Sequence, residues 1–149
     1  MSKYSVIEKG TEASLLCDVY RNAKMGGEAI LTLLPKISDE KLKSELTAQL
    51  SRYDEIANEA KQRLEEMGEK PEEERPLSRL MAKMGITMNT VIDKTSSHVA
   101  EMIIEGAVMG ITDITKRLNE GLDYKDAESL AKKLVDFEAD TAERMKEYL

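Results

Sequence analysis

At 149 residues the chain fits one domain and is long enough to bury one continuous core. With 34% charged and 41% hydrophobic residues it reads as neither a disordered tail nor a membrane protein; its longest nearly apolar run, AEMIIEGAVMGI, is broken by Glu105 and falls short of the roughly 20 residues a spanning helix needs. The net charge is −7 with Lys and Arg interleaved among acids, and there is no Trp and one Phe, so neither a basic stripe for duplexes nor an aromatic platform for single strands is present, and we expect neither nucleic acid nor membrane as a partner.

The N-terminal MSKYSVIEKGTEA lacks an apolar h-region, so no secretory signal is expected. The single cysteine, Cys17, permits no internal disulfide, and a reducing, cytoplasmic setting follows as the expectation.

Apolar residues at helical spacing predict a first helix over 12–34, with Leu15, Leu16, Val19, Ala23, Gly26, Ile30, Leu33 and Leu34 on one face, Thr11 as its N-cap and Pro35 as its stop. A second helix is predicted over 39–67, striped by Leu42, Leu46, Leu50, Tyr53, Ala57, Ala60 and Leu64. Ser38 is its expected N-cap, Asp39 and Glu40 complement its positive end, and Gly68 ends it. The polar GEKPEEERP reads as a loop, and LSRLMAKMGITMNTVID as an amphipathic connecting helix. Two further helices are predicted over 95–119 and 124–148, the last capped by Asp123.

Ala-x-Met-Gly occurs at Ala23–Gly26, Ala82–Gly85 and Ala107–Gly110. The first and third copies fall into register when the chain is slid by 84 residues, which also superposes Ile30 on Ile114, Leu46 on Leu130, Leu50 on Leu134 and Tyr53 on Phe137. Residues 11–65 and 95–149 then share 11 identities without a gap. The expected organisation is one domain, 1–149, made of a hairpin over 11–67, a connection over 68–94 and a second hairpin over 95–149. The middle copy lies outside this register and reads as coincidence.

Two matched hairpins and a long crossover resemble the ferritin-like superfamily of four-helix bundles. Phrases such as HVAEMIIEGAVMGITDITK are similar to small bacterial members of that class. The resemblance implies an all-α bundle. In active members it also implies a di-metal centre of inward Glu and Glu-x-x-His ligands. The residues depart from that pattern. Glu28 lies about 200° around from Gly26 at 100° per residue, Glu55–Asn58 and Glu138–Thr141 lack the histidine, and His98 is the one histidine in the chain. No metal, cofactor or catalytic residue is expected, and the leading reading is a non-catalytic binding or interaction module, with a metal-dependent ferritin-like oxidoreductase or metal-binding protein with a degenerate or intersubunit site as the alternative. The candidate metal group is His98, Glu101 and Glu105, at i, i+3 and i+7. Lys94, Thr112 and Lys116 share that face, which makes it a solvated patch.

Cys17 falls opposite the apolar stripe beside Arg21, the position of an exposed thiol, and every Asp and Glu falls on a polar face or in a loop. Gly26 and Gly110 each cost roughly 1 kcal/mol against alanine. The expectation is that Ala23, Gly26, Ala107 and Gly110 mark a close crossing of the first and third helices, with Gly26→Leu strongly destabilising through overpacking; space for a small ligand is the rival use of the glycines. Met25 and Met109 on a flank, with Met81, Met84 and Met88 on the connecting helix, are the candidate interface of a homodimer or partner groove.

Overall fold

A computed structural model describes residues 10–71, 95–120 and 126–149. Four helices carry the fold: α1, Glu12–Leu33; α2, Glu40–Glu66; α3, Ser96–Leu118; and α4, Asp126–Met145. Short 3₁₀ turns follow α1 (Leu34–Lys36) and α4 (Lys146–Tyr148). No strand occurs among the described residues, and the protein is an all-α, four-helix bundle. The expected connecting helix, with Ala82–Gly85, Met81, Met84 and Met88, and the expected cap Asp123 lie outside the described residues.

The helix ends follow local chemistry. Thr11 and Thr95, superposed by the 84-residue register, are both N-caps. Each hydroxyl accepts a backbone N–H three residues on, from Ser14 at 3.1 Å and from His98 at 3.2 Å. Gly68, at φ 73°, ends α2 in a Schellman turn, with Glu69 N–H donating to the Leu64 carbonyl at 2.9 Å and Gly68 N–H to that of Glu65 at 3.0 Å. Pro35 sits in the 3₁₀ turn that terminates α1.

The N-cap of α2 is Asp39, not Ser38, because the carboxylate accepts from both Lys41 N–H (2.9 Å) and Leu42 N–H (3.2 Å). Its second oxygen accepts from the Ser96 hydroxyl at 3.0 Å, tying the start of α2 to the start of α3. The Leu42 amide, then Ser96, hold the Asp39 carboxyl below its ordinary range. A folded-state pKa below the unfolded value stabilises above the unfolded pKa, and that contribution is lost as pH falls through the folded value. Asp39→Ala should lower the melting temperature at pH 7 by roughly 3 °C. Asp39→Asn, which keeps an acceptor oxygen, should lose less, and the deficit of Asp39→Ala should shrink near pH 2; a deficit independent of pH would contradict the assignment.

Contacts at the helix ends set the topology. Ser96 on Asp39 puts the starts of α2 and α3 together, while Glu12 Oε1 accepts from Ala127 N–H at 3.2 Å and puts the starts of α1 and α4 together. Arg63, late in α2, donates to the Asp126 carbonyl at 2.7 Å, and Arg144, late in α4, pairs with Glu45, early in α2. Arg117, late in α3, reaches Asp18, early in α1, at 3.0 Å. The helices therefore run up, down, down, up. α2 ends at one end of the bundle and α3 starts at the other.

The core is filled by Leu15, Leu16, Ile30 and Leu33 of α1, Leu42, Leu46 and Leu64 of α2, Ile114 of α3 and Leu130, Leu134 and Met145 of α4, each fully buried. Burying one such side chain is worth about 1.5–3 kcal/mol. Cys17 joins them, 5% exposed, so the expectation of a surface thiol is overturned. Its immediate neighbours Leu15, Leu16 and Val19 are all buried, so the inward face of α1 is wider at this end than a single stripe predicts.

Candidate functional site

Mid-bundle, two polar side chains cross the core and meet. Tyr53 of α2 donates its hydroxyl to Glu138 Oε2 of α4 at 2.9 Å, with Tyr53 4% and Glu138 1% exposed. The Tyr53 ring also meets Phe137 edge to face, with centroids 4.8 Å apart. Glu138 Oε1 has no hydrogen-bond partner among the described residues. The expectation that every acid is on a polar face fails here. Glu138 continues the buried stripe Leu130, Leu134, Thr141 and Met145, so its helical spacing carries the signal of burial that its residue type masks.

The glycines make room for this pair. A Cβ on Gly26 would lie 2.4 Å from Tyr53 Cζ, with both flanking ring carbons within 2.8 Å. A Cβ on Gly110 would lie 2.4 Å from Glu138 Oε1, 2.6 Å from Oε2 and 2.7 Å from Asn22 Oδ1. The space beside each glycine is thus taken by side chains, from α2 at Gly26 and from α4 and α1 at Gly110. Ala23 and Ala107 are buried, Gly110 is buried and Gly26 half-buried.

Burial pushes the Glu138 carboxyl up to about 8; the Tyr53 hydrogen bond opposes this and the Asp113 charge adds to it. Burial, then the Glu138 charge, raises the Tyr53 hydroxyl well above its ordinary value. At neutral pH the pair is therefore a phenol donating to a carboxylic acid.

Above the pair a cleft of about 490 Å³ opens between α1 and α3, within the size range of small-molecule sites. Its walls are Met25, Ala29 and Ile30 on one side and Met102, Ile103, Gly106 and Met109 on the other, with Tyr53 and Glu138 lining it as well. Asp18, Arg21, Asp113, Lys116, Arg117 and Glu120 complete the lining with charge. Asp18 pairs with both Arg21 and Arg117, and Glu120 also holds Arg117. Met25 and Met109, singled out as flank residues, line this cleft.

His98 and Glu101 form an exposed pair at 4.0 Å near the start of α3, and Glu105 is exposed farther along the helix. Among the described residues no group of three His, Cys, Asp or Glu side chains is placed to hold a metal ion. No helix among them is long and apolar enough to cross a membrane.

No family model matches the chain, and no curated protein matches it. Solved structures share its fold. The conserved hypothetical protein rv2844 from Mycobacterium tuberculosis superposes with a TM-score of 0.67 over 96% of this chain and 100% of that one, at 15% identity. YcfI from Rhodopseudomonas palustris gives 0.58 over 89% of this chain and 88% of its own, at 16% identity. Both likenesses are of fold alone.

Proposed function

We propose that this protein is a non-catalytic binding module of ferritin-like architecture that holds one small, largely apolar molecule in the cleft between α1 and α3. The observation that carries the reading is the cleft itself, apolar where Met25–Ile30 faces Met102–Met109 and reaching a buried carboxyl whose Oε1 is unpartnered among the described residues. Ligand sites combine such apolar walls with a few convergent polar groups. The up-down-down-up order, with α2 and α3 parallel, supports the ferritin-like reading, and the meeting of Tyr53 with its register mate Phe137 supports the duplication. The groups that chemistry would use are dispersed, Cys17 in the core, His98 on the surface and Glu138 mid-bundle, which supports binding over catalysis. A cytoplasmic setting and a homodimer belong to the same proposal.

The test is methionine methyl NMR during titration with 1-octanol. Met25, Met102 and Met109 line the cleft, while Met67 is exposed elsewhere and Met145 is buried outside it. The first three resonances should shift saturably and the other two stay in place. Equal shifts at all five, or none at Met25, Met102 and Met109, overturn the reading. A native mass spectrum reads the dimer: the mass of one chain at micromolar concentration removes that part.

A further inference from the structure

We propose that the cleft selects a ligand whose apolar body ends in a protonated amine, the ammonium seated against Glu138 Oε1, the Asn22 amide oxygen and Asp113. The inference rests on the binding-module reading and specifies the ligand's head group.

The polar end of the cleft is rich in acceptors. Glu138 Oε1 and Asn22 Oδ1 converge beside Gly110, 2.4 and 2.7 Å from where its absent Cβ would fall, in space that these side chains fill. Asp113 also lines the cleft, close enough for its charge to act on Glu138. The Tyr53 hydroxyl is already spent on Oε2. An ammonium brings three donors and a positive charge to these oxygens, and charge-assisted hydrogen bonds are roughly twice as strong as neutral ones. A ligand carboxylate would instead face Asp113 and find one acid proton.

The protein's own cations at this end of the cleft are engaged by other acids or exposed. Arg21 and Arg117 are held by Asp18, and Arg117 also by Glu120. Lys116 is exposed, and no salt bridge to Glu138 exists among the described residues. These groups, with Tyr53 from α2 and Asp113 from α3, are the charged and titratable neighbours lining the cleft with Glu138.

With the carboxyl protonated in the unliganded protein at pH 7, seating an ammonium expels that proton to solvent, which costs about tenfold in affinity at pH 7 for a group titrating about one unit higher. Affinity should therefore rise about tenfold per pH unit from pH 6 and level off above pH 8.

The experiment compares octylammonium with 1-octanol and octanoate by calorimetry, in phosphate and in Tris so that proton release is counted. Octylammonium should bind at least tenfold more tightly than 1-octanol at pH 8 and release close to one proton at pH 7. In Glu138→Gln both the preference for octylammonium over 1-octanol and the proton release should vanish. If 1-octanol or octanoate binds as tightly as octylammonium, or no proton is released, the head-group assignment is overturned and the apolar cleft stands. If none of the three probes shifts the Met25, Met102 and Met109 methyls, both fall.

Discussion

Glu138→Gln should stabilise the protein at pH 9 and leave its stability at pH 4 nearly unchanged. The carboxyl titrates near 8 in the folded chain against an ordinary value of 4.5, so between those pH values the native state holds a proton that the unfolded state has released. Stability falls with pH wherever the native state binds more protons, so the loss accumulates from about pH 4.5 and is complete above about pH 8. At about 1.4 kcal/mol per unit the full difference is of order 5 kcal/mol. Glutamine keeps the shape and an acceptor for Tyr53 but carries no charge to bury. Denaturant unfolding of both proteins at pH 4 and pH 9 isolates this group from every other that titrates. A gap between them equal at the two pH values would show that Glu138 is not buried as a neutral acid.

Gly26→Ala should destabilise by roughly 2–3 kcal/mol, although alanine is the better helix former by about 1 kcal/mol. The new Cβ falls onto the Tyr53 ring at 2.4 Å. The ring is buried, bonded to Glu138 and packed on Phe137, so it cannot swing clear without losing the hydrogen bond. The cost should vanish when the ring is gone. In a Tyr53→Leu background the same substitution should be neutral or slightly stabilising, giving a coupling of about 3 kcal/mol. An equal cost in both backgrounds would mean that Gly26 is required by something other than Tyr53.

These expectations differ in origin. The Gly26 position was legible as a puzzle, since a mid-helix glycine needs something to offset its cost, and the expected answer was a close crossing of the first and third helices. Which atoms pack beside the glycine was not legible. Tyr53 is 27 positions along the chain from Gly26, and Glu138 is 28 from Gly110, and no local pattern links residues across a helix turn-around. Asn22 and Asp113 carried no signal of their own, because each is an ordinary polar residue in a helix until Glu138 is brought beside it. Cys17 shows the same limit in reverse. Its angle on the helix wheel was right, yet neighbouring helices cover more of α1 than one stripe at that end.

The amino-acid sequence by itself determined the four helices, to within a few residues at their described ends, together with the threonine caps, the glycine stop of α2 and most of the buried face. Each of these depends on spacing or on groups within about four residues, and such interactions are printed in the order of the chain. Tertiary structure alone decided that a tyrosine and a glutamate meet across the core, that two glycines shelter them, and that a cleft opens above the pair. Burial is a property of all neighbours at once. It converts Glu138 from one acid among the chain's 29 acidic residues into a neutral hydrogen-bonding group facing a pocket.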